Sequence, residues 1–94
     1  MQYEDKKDLS DKELDMRRAI DSLNEEMGAV NAYTQRAKAC SDGYLKKMLL
    51  HHSKEEKEHA AMLIEWIRRQ DPEFSDELKE YVFSEEKDIS EKGH

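Results

Sequence analysis

The chain has 94 residues, which is enough for one small domain with a thin core. Charged residues make up 41% of the chain, hydrophobic residues make up 36%, and the formal net charge is −7. This acidic balance argues against nucleic acid or an anionic membrane surface as a partner and favours cations, and no run of about 18 apolar residues is available to cross a membrane.

The first predicted helix begins after Ser10. Residues 1–9 are expected to form a flexible N-terminus, and Ser10 is followed three residues later by Glu13, which matches the capping box of a helix start. The composition is rich in helix formers and poor in glycine and proline, so we expect this helix to run to about Ala39.

A turn and a second long helix follow. The sequence CSDGY at 40–44 carries the turn signal, and helical residues continue from about Tyr44 to Arg69. Each long helix should measure about 40 Å. Because the connection between them is short, the sequence predicts an antiparallel helical hairpin.

Pro72 is expected to end the second helix, and a short third helix is expected near residues 75–83. The prediction is therefore an all-α domain over residues 10–84, followed by a flexible C-terminal tail over 85–94. Cys40 is the single cysteine, so no internal disulfide is possible. A reduced cysteine and the lack of an apolar signal segment favour a cytoplasmic protein.

Both long helices carry a stripe of residues at alternating steps of four and three, the spacing of a packed helix face. The first stripe contains Ala19, Leu23, Glu26, Val30, Tyr33 and Ala37. The second contains Leu45, Leu49, His52, Glu56, His59, Leu63 and Trp66. Each stripe is apolar at its ends and polar near its middle, and the middles of the two helices meet in an antiparallel hairpin.

The polar residues of these stripes, Glu26, Glu56 and His59, are of metal-binding type. Carboxylate and imidazole without cysteine suit Fe, Mn or Zn. A lone Glu and a Glu-x-x-His pair make half of the di-iron ligand set of a ferritin-like four-helix bundle. A second copy related by twofold symmetry would supply the other half. A solvated groove without an ion is the alternative that the spacing leaves open.

Two stretches carry a resemblance to a known family. SLNEEMGAVNAYTQRA and LLHHSKEEKEHAAMLIEWIRRQDPEFSDELKEYVF resemble the encapsulated ferritins, which are packaged inside encapsulin nanocompartments. The resemblance spans residues 18 to 84. It implies a ferritin-like four-helix bundle formed by dimerisation, a homodecameric ring, and a ferroxidase di-iron site at each dimer interface.

The resemblance also implies roles for particular residues. Glu26, Glu56 and His59 would be the iron ligands at the catalytic site, and Tyr33 matches a family tyrosine near the metals. A tentative outer metal site would map to four residues beside the stripe, namely Glu25, His51, Glu55 and Glu58. Family members usually have glutamate at the position of Gly28 and tryptophan at that of Ala32, so the approach to the site is expected to be more open here.

His52 also lies on the stripe, one turn before Glu56. An interface hydrogen bond is the expected role of His52, in preference to metal ligation.

The function expected from the resemblance is ferroxidation of Fe(II) to Fe(III) for iron storage in the lumen of an encapsulin shell. The alternatives are a non-enzymatic helical oligomer held by a structural Zn or Mn ion, and an acidic coiled-coil adaptor without an ion.

Overall fold

The computed structural model describes residues 3–91 and is built from three helices, α1 (Asp11–Ala39), α2 (Gly43–Gln70) and α3 (Pro72–Tyr81). No strand is present within residues 3–91. The two long helices pack side by side in opposite directions, and α3 packs against the end of α2. The predicted all-α hairpin with a short C-terminal helix is confirmed.

Local hydrogen bonds explain where the long helices begin. The backbone N–H of Glu13 donates to Ser10 Oγ at 3.1 Å, and the backbone N–H of Ser10 donates to Glu13 Oε1 at 2.9 Å. This reciprocal pair is the predicted capping box. The bond from the Ser10 backbone lowers the pKa of Glu13. At the start of α2, Asp42 accepts a bond from the backbone N–H of Leu45 at 2.8 Å.

The third helix differs from its predicted bounds. It begins at Pro72 rather than at residue 75, because Asp71 accepts a hydrogen bond from the backbone N–H of Phe74 at 3.1 Å. Proline lacks the N–H that the first helical position would leave unpaired, so Pro72 starts this helix. The helix ends at Tyr81, two residues early, and Phe83 then adopts a positive φ of 61°.

The segments outside the three helices are short. Residues Lys6–Asp8 and Ile89–Glu91 form single 3-10 turns. The Tyr3 hydroxyl donates to Asp21 Oδ1 at 2.5 Å, which raises the pKa of Tyr3, and the Arg17 guanidinium lies 4.9 Å from the centre of the Tyr3 ring. Of the segments expected to be flexible, residues 1–2 and 92–94 lie outside the described residues.

The interior of the described chain is small. Its buried apolar side chains are Ala19 and Ala37 on α1 and Ala60 and Ile67 on α2. No large side chain within residues 3–91 is fully buried. Many large apolar side chains are instead exposed on the long helices, namely Ile20, Met27, Tyr44, Leu45, Met48, Leu50, Met62 and Trp66. A single chain therefore leaves much of its apolar surface in water.

The packed face of α2 is rotated from the predicted stripe by one position. The buried residues are Ser53, Ala60 and Ile67, at steps of seven. Three of the seven residues of the predicted stripe are half-buried (Leu49, Glu56 and Leu63), and the other four are exposed (Leu45, His52, His59 and Trp66). The four exposed residues therefore lie beside the half-buried row, at the edge of the packed face.

None of the helices in the described part of the chain is both long and apolar enough to span a bilayer.

Candidate metal centre

Three donor side chains from the two long helices converge near the middle of the hairpin. Glu26 comes from α1, and Glu56 and His59 come from α2, one turn apart on the same face. One ligand atom from each lies within 4.8 Å of the others, which is close enough to hold a single metal ion. The structure thus brings together the three residues that the sequence predicts as ligands.

The imidazole of His59 lies between the two carboxylates. Its Nδ1 is 3.4 Å from Glu26 Oε2 and 3.5 Å from Glu56 Oε2. The His59 side chain is 49% exposed, whereas those of Glu26 and Glu56 are 26% and 22% exposed. The carboxylates therefore sit deeper in the hairpin than the imidazole, which lies at its open edge.

One carboxylate oxygen of this cluster is buried without a hydrogen bond. Glu26 Oε2 is buried and accepts no hydrogen bond from any residue of the described chain, although His59 Nδ1 lies 3.4 Å away. A buried carboxylate oxygen without a hydrogen bond is costly, and such groups normally bind a donor or a cation. The donor chemistry and the orphaned oxygen both fit a divalent metal ion of the Fe, Mn or Zn class.

An open groove of about 460 Å³ borders the donors. It is lined by Ser22, Glu26, His59, Met62, Leu63 and Trp66. The lining combines polar side chains with apolar ones, and the side chains of Met62 and Trp66 are exposed. The cluster therefore opens onto an apolar surface that the chain itself does not cover.

Tyr33 contacts His52 rather than the donor cluster. The two rings stack with their centres 5.1 Å apart and an interplanar angle of 21°, and the Arg36 guanidinium lies 5.6 Å from the centre of the Tyr33 ring. Tyr33 is seven residues after Glu26, which is about 10 Å along the helix axis. Within the chain His52 thus makes a stacking contact, and its interface hydrogen bond stays a prediction.

The four residues of the predicted outer site do not converge within one chain. His51 Nε2 and Glu55 Oε1 lie 2.7 Å apart, and both side chains are exposed. Glu25 and Glu58 are exposed, and neither joins a cluster of three potential ligands within residues 3–91.

Sequence reasoning missed a part-buried polar contact between the two long helices. The hydroxyls of Thr34 and Ser53 lie 2.9 Å apart, and Ser53 is only 3% exposed. The signal was present, because Ser53, Ala60 and Ile67 recur at steps of seven, which is the spacing of a packed position.

Comparisons with known proteins agree with this arrangement of helices. The EncFtn-like family matches residues 1–85 of the chain. An encapsulated ferritin-like protein of Rhodospirillum rubrum is 44% identical over 77 residues, or 82% of this chain and 55% of that protein. A ferritin-like protein of Thermotoga maritima is 43% identical over 83 residues, or 88% of this chain and 73% of that protein. The chain thus spans about half the length of the first relative.

A crystal structure of protein ne0167 from Nitrosomonas europaea has the same fold. It superposes with a TM-score of 0.88 and is 55% identical in sequence, and the match covers 90% of this chain and 93% of that one. The resemblance carried by the residues around Glu26 and by the EEKEH sequence is confirmed: the chain belongs to the EncFtn-like family, the encapsulated ferritin-like proteins.

Proposed function

We propose that the protein is a ferroxidase that oxidises Fe(II) to Fe(III) at a di-iron centre shared between two subunits. Membership of the encapsulated ferritin-like family points to an iron-related function. The observation that carries the proposal is the convergence of Glu26, Glu56 and His59 within 4.8 Å beside an uncovered apolar groove.

The second subunit is part of the proposal because one chain supplies half of a di-iron ligand set. A ferritin-like centre uses a Glu from each of two helices and Glu-x-x-His from each of two others. Two hairpins related by a twofold axis would bring two copies of Glu26 and two Glu56/His59 pairs together. The paired chains would form a four-helix bundle and cover the exposed Met62 and Trp66.

Each ligand has a distinct role in this proposal. Glu26, with one orphaned oxygen facing the cluster, would help to hold both iron ions. Glu56 and His59 would each help to hold one ion, and His59 would do so from the more exposed edge. Four glutamates contribute a charge of −4, which balances two ferrous ions at +4. Each ferrous ion loses one electron, and dioxygen is the electron acceptor.

The biological setting is iron storage inside an encapsulin nanocompartment. The Rhodospirillum rubrum relative is described as encapsulated, which supports this assignment. A ring of such hairpins would have no closed cavity in which ferric iron could accumulate, so a shell would provide it. We infer a cytoplasmic protein in the lumen of that shell, arranged as a homodecameric ring of dimers. Tyr33 is proposed to lie near the metals without binding them. The outer residues, Glu25, His51, Glu55 and Glu58, are proposed to collect iron ions before their transfer to the centre.

The second candidate is a metal-binding oligomer without enzymatic activity. Carboxylate and imidazole ligands also suit Zn and Mn, and either ion would neutralise the orphaned Glu26 oxygen and join two chains.

Anaerobic loading followed by exposure to air separates these functions. The full chain is titrated with Fe(II) without oxygen, the bound iron is counted, and the ferric absorbance is followed after air is admitted. Two bound ions per pair of chains and rapid growth of the ferric band support the ferroxidase. If iron binds but is oxidised no faster than free Fe(II) in solution, the result favours the structural site. If no iron binds, both candidate functions are rejected.

A further inference from the structure

The two long helices are joined by polar and aromatic contacts in the stretch between the metal centre and the turn. Thr34 and Ser53 share a hydrogen bond of 2.9 Å, and the neighbouring residues Tyr33 and His52 stack at 5.1 Å. Ser53 is 3% exposed, so breaking its bond would leave a hydroxyl unpaired in the interior.

The stack repeats the register of the metal centre. Tyr33 lies seven residues after Glu26 on α1, and His52 lies seven residues before His59 on α2. The Tyr33–His52 contact is therefore the Glu26–His59 contact moved one heptad toward the turn. Any rotation or sliding of α2 that separates Glu26 from His59 would also separate the two rings.

The buried apolar part of the helix interface has small side chains and does little to fix this register, although Leu49 and Leu63 are half-buried beside it. Three of its four buried apolar residues are alanines, namely Ala19, Ala37 and Ala60. Contacts between small apolar side chains are weakly directional, whereas a hydrogen bond depends on distance and angle. The turn after Ala39 fixes the end of the hairpin, but Glu26 lies thirteen residues away, which is about 20 Å along the axis.

We propose that Thr34 and Ser53, together with the Tyr33–His52 stack, are positioning residues that fix the register and rotation of the two helices at the metal centre. They act through the geometry of Glu26, Glu56 and His59 and do not contact the metal. The inference rests on the proposed function only in requiring that the three donors bind a metal ion.

The hydroxyl pair is tested with Co(II), whose binding and visible absorption report the geometry of the ligands without any turnover. Thr34→Val removes the hydroxyl at nearly constant shape, and Thr34→Ser keeps the hydroxyl. Loss of one hydrogen bond should weaken Co(II) binding by up to about tenfold. We expect Thr34→Val to show this loss with an altered spectrum, and Thr34→Ser to retain the parent affinity and spectrum.

The Thr34→Val/Ser53→Ala double variant separates positioning from stability. It leaves no unpaired hydroxyl, so its helix content and melting temperature should return toward those of the parent, while Co(II) affinity and spectrum stay changed. A double variant with the parent's affinity and spectrum would overturn the role of the hydroxyl pair. If the unmodified chain binds no Co(II), both this inference and the proposed function fail, whereas normal binding by every variant removes this inference alone.

The stack is tested by His52→Phe and His52→Ala. Phenylalanine keeps an aromatic ring over Tyr33 but offers no nitrogen, so we expect His52→Phe to bind Co(II) like the parent and His52→Ala to bind it more weakly. Equal losses in both variants would show that the imidazole acts through its nitrogens, which contradicts a role in stacking.

Discussion

At the scale of single residues, the orphaned oxygen of Glu26 determines what its replacement should do. Glu26→Gln keeps the size of the side chain but removes the negative charge that would attract a cation to the cluster. We expect the rate of Fe(II) oxidation to fall by more than about tenfold, since even changes around a metal ligand cost 10- to 100-fold. Circular dichroism should show nearly unchanged helix content, and ferric absorbance after mixing with air measures the rate.

Glu56→Gln and His59→Ala should behave like Glu26→Gln, because each removes one of the three converging donors. Glu77→Gln is the matched control, since Glu77 is exposed on α3 and carries the same charge change away from the cluster. Undiminished rates in all three donor variants would remove the assignment of these residues as ligands.

Gly28 is a second position at which a single added atom, the Cβ of alanine, is expected to change the stability of the protein. It lies in the interior of α1 at a negative φ, and a Cβ built there meets no heavy atom within 4 Å. Glycine costs about 0.5–1 kcal/mol relative to alanine inside a helix. Gly28→Ala should therefore raise the melting temperature of the protein by a few degrees, as followed by circular dichroism.

A lower melting temperature for Gly28→Ala would mean that the space over Gly28 is filled in the assembled protein. The same measurement at dilutions that separate the subunits would then restore the expected gain, because the single chain leaves that space open.

The convergence of Glu26, Glu56 and His59 could be predicted because helical spacing fixes which residues share a face, and an antiparallel hairpin brings the middles of its helices together. The outer residues could not be placed in this way. Glu25 and Glu58 are exposed side chains, and helical spacing says nothing about which neighbour a long exposed carboxylate contacts.

At the scale of the helices, the sequence predicted where the two long helices begin but not which face of α2 packs against α1. The capping box of Ser10 and Glu13 and the turn before Tyr44 depend on neighbouring residues and are confirmed. The packed face of α2 depends on which small side chains admit α1, and the stripe through Leu45 and His52 was therefore placed one position away from Ser53 and Ala60.

The contact between α2 and α3 depends on a charged cluster. Glu65 accepts hydrogen bonds from Arg68 at 2.6 and 2.9 Å and from Arg69 at 2.7 Å. Arg68 also donates to Ser75 Oγ of α3 at 3.0 Å. These bonds, with that of Arg68 first, lower the pKa of Glu65 from 4.5 to about 2. Glu65 thus orients the arginine that joins α3 to α2.

The lowered pKa gives Glu65 a pH-dependent effect on stability. The folded state binds the proton more weakly than the unfolded chain, so the stabilisation is complete above about pH 4.5 and is lost as the pH falls toward about 2. Glu65→Gln should melt a few degrees below the parent at pH 7, and this difference should shrink as the pH approaches 2.

Glu77→Gln, which changes an exposed glutamate on α3, should melt like the parent across the same pH range. A Glu65→Gln difference that is constant between pH 7 and pH 2 would show that the side-chain amide, rather than the lost charge, causes the change.

At the scale of the whole molecule, the chain combines a small interior with a large exposed apolar surface. Its buried apolar residues are three alanines and Ile67, while Met62 and Trp66 are exposed beside the metal centre. The length and composition of the chain predicted the thin core. The identity of the covering surface could not be read from the sequence, because it depends on contacts outside the chain.

In the proposed shared centre, the position of that surface beside the three donors would link metal binding to assembly. Without metal, pairing two chains would crowd four carboxylates together, and their mutual repulsion would oppose the burial of Met62 and Trp66. A ligand that binds only the paired state shifts the equilibrium toward it by mass action. Anaerobic Fe(II) should therefore convert single chains to dimers and larger rings, as measured by native mass spectrometry.

Glu26→Gln supplies the control that distinguishes charge repulsion from metal bridging. The variant removes two negative charges from each pair of chains, which should ease pairing without iron. The loss of the proposed iron ligand should reduce the further gain in pairing from Fe(II). The parent should therefore respond to iron more strongly than the variant, although it begins with fewer dimers. If the mass distribution of the parent is the same with and without iron, the centre is not shared between subunits, because a shared centre must bind more tightly to the pair than to the single chain.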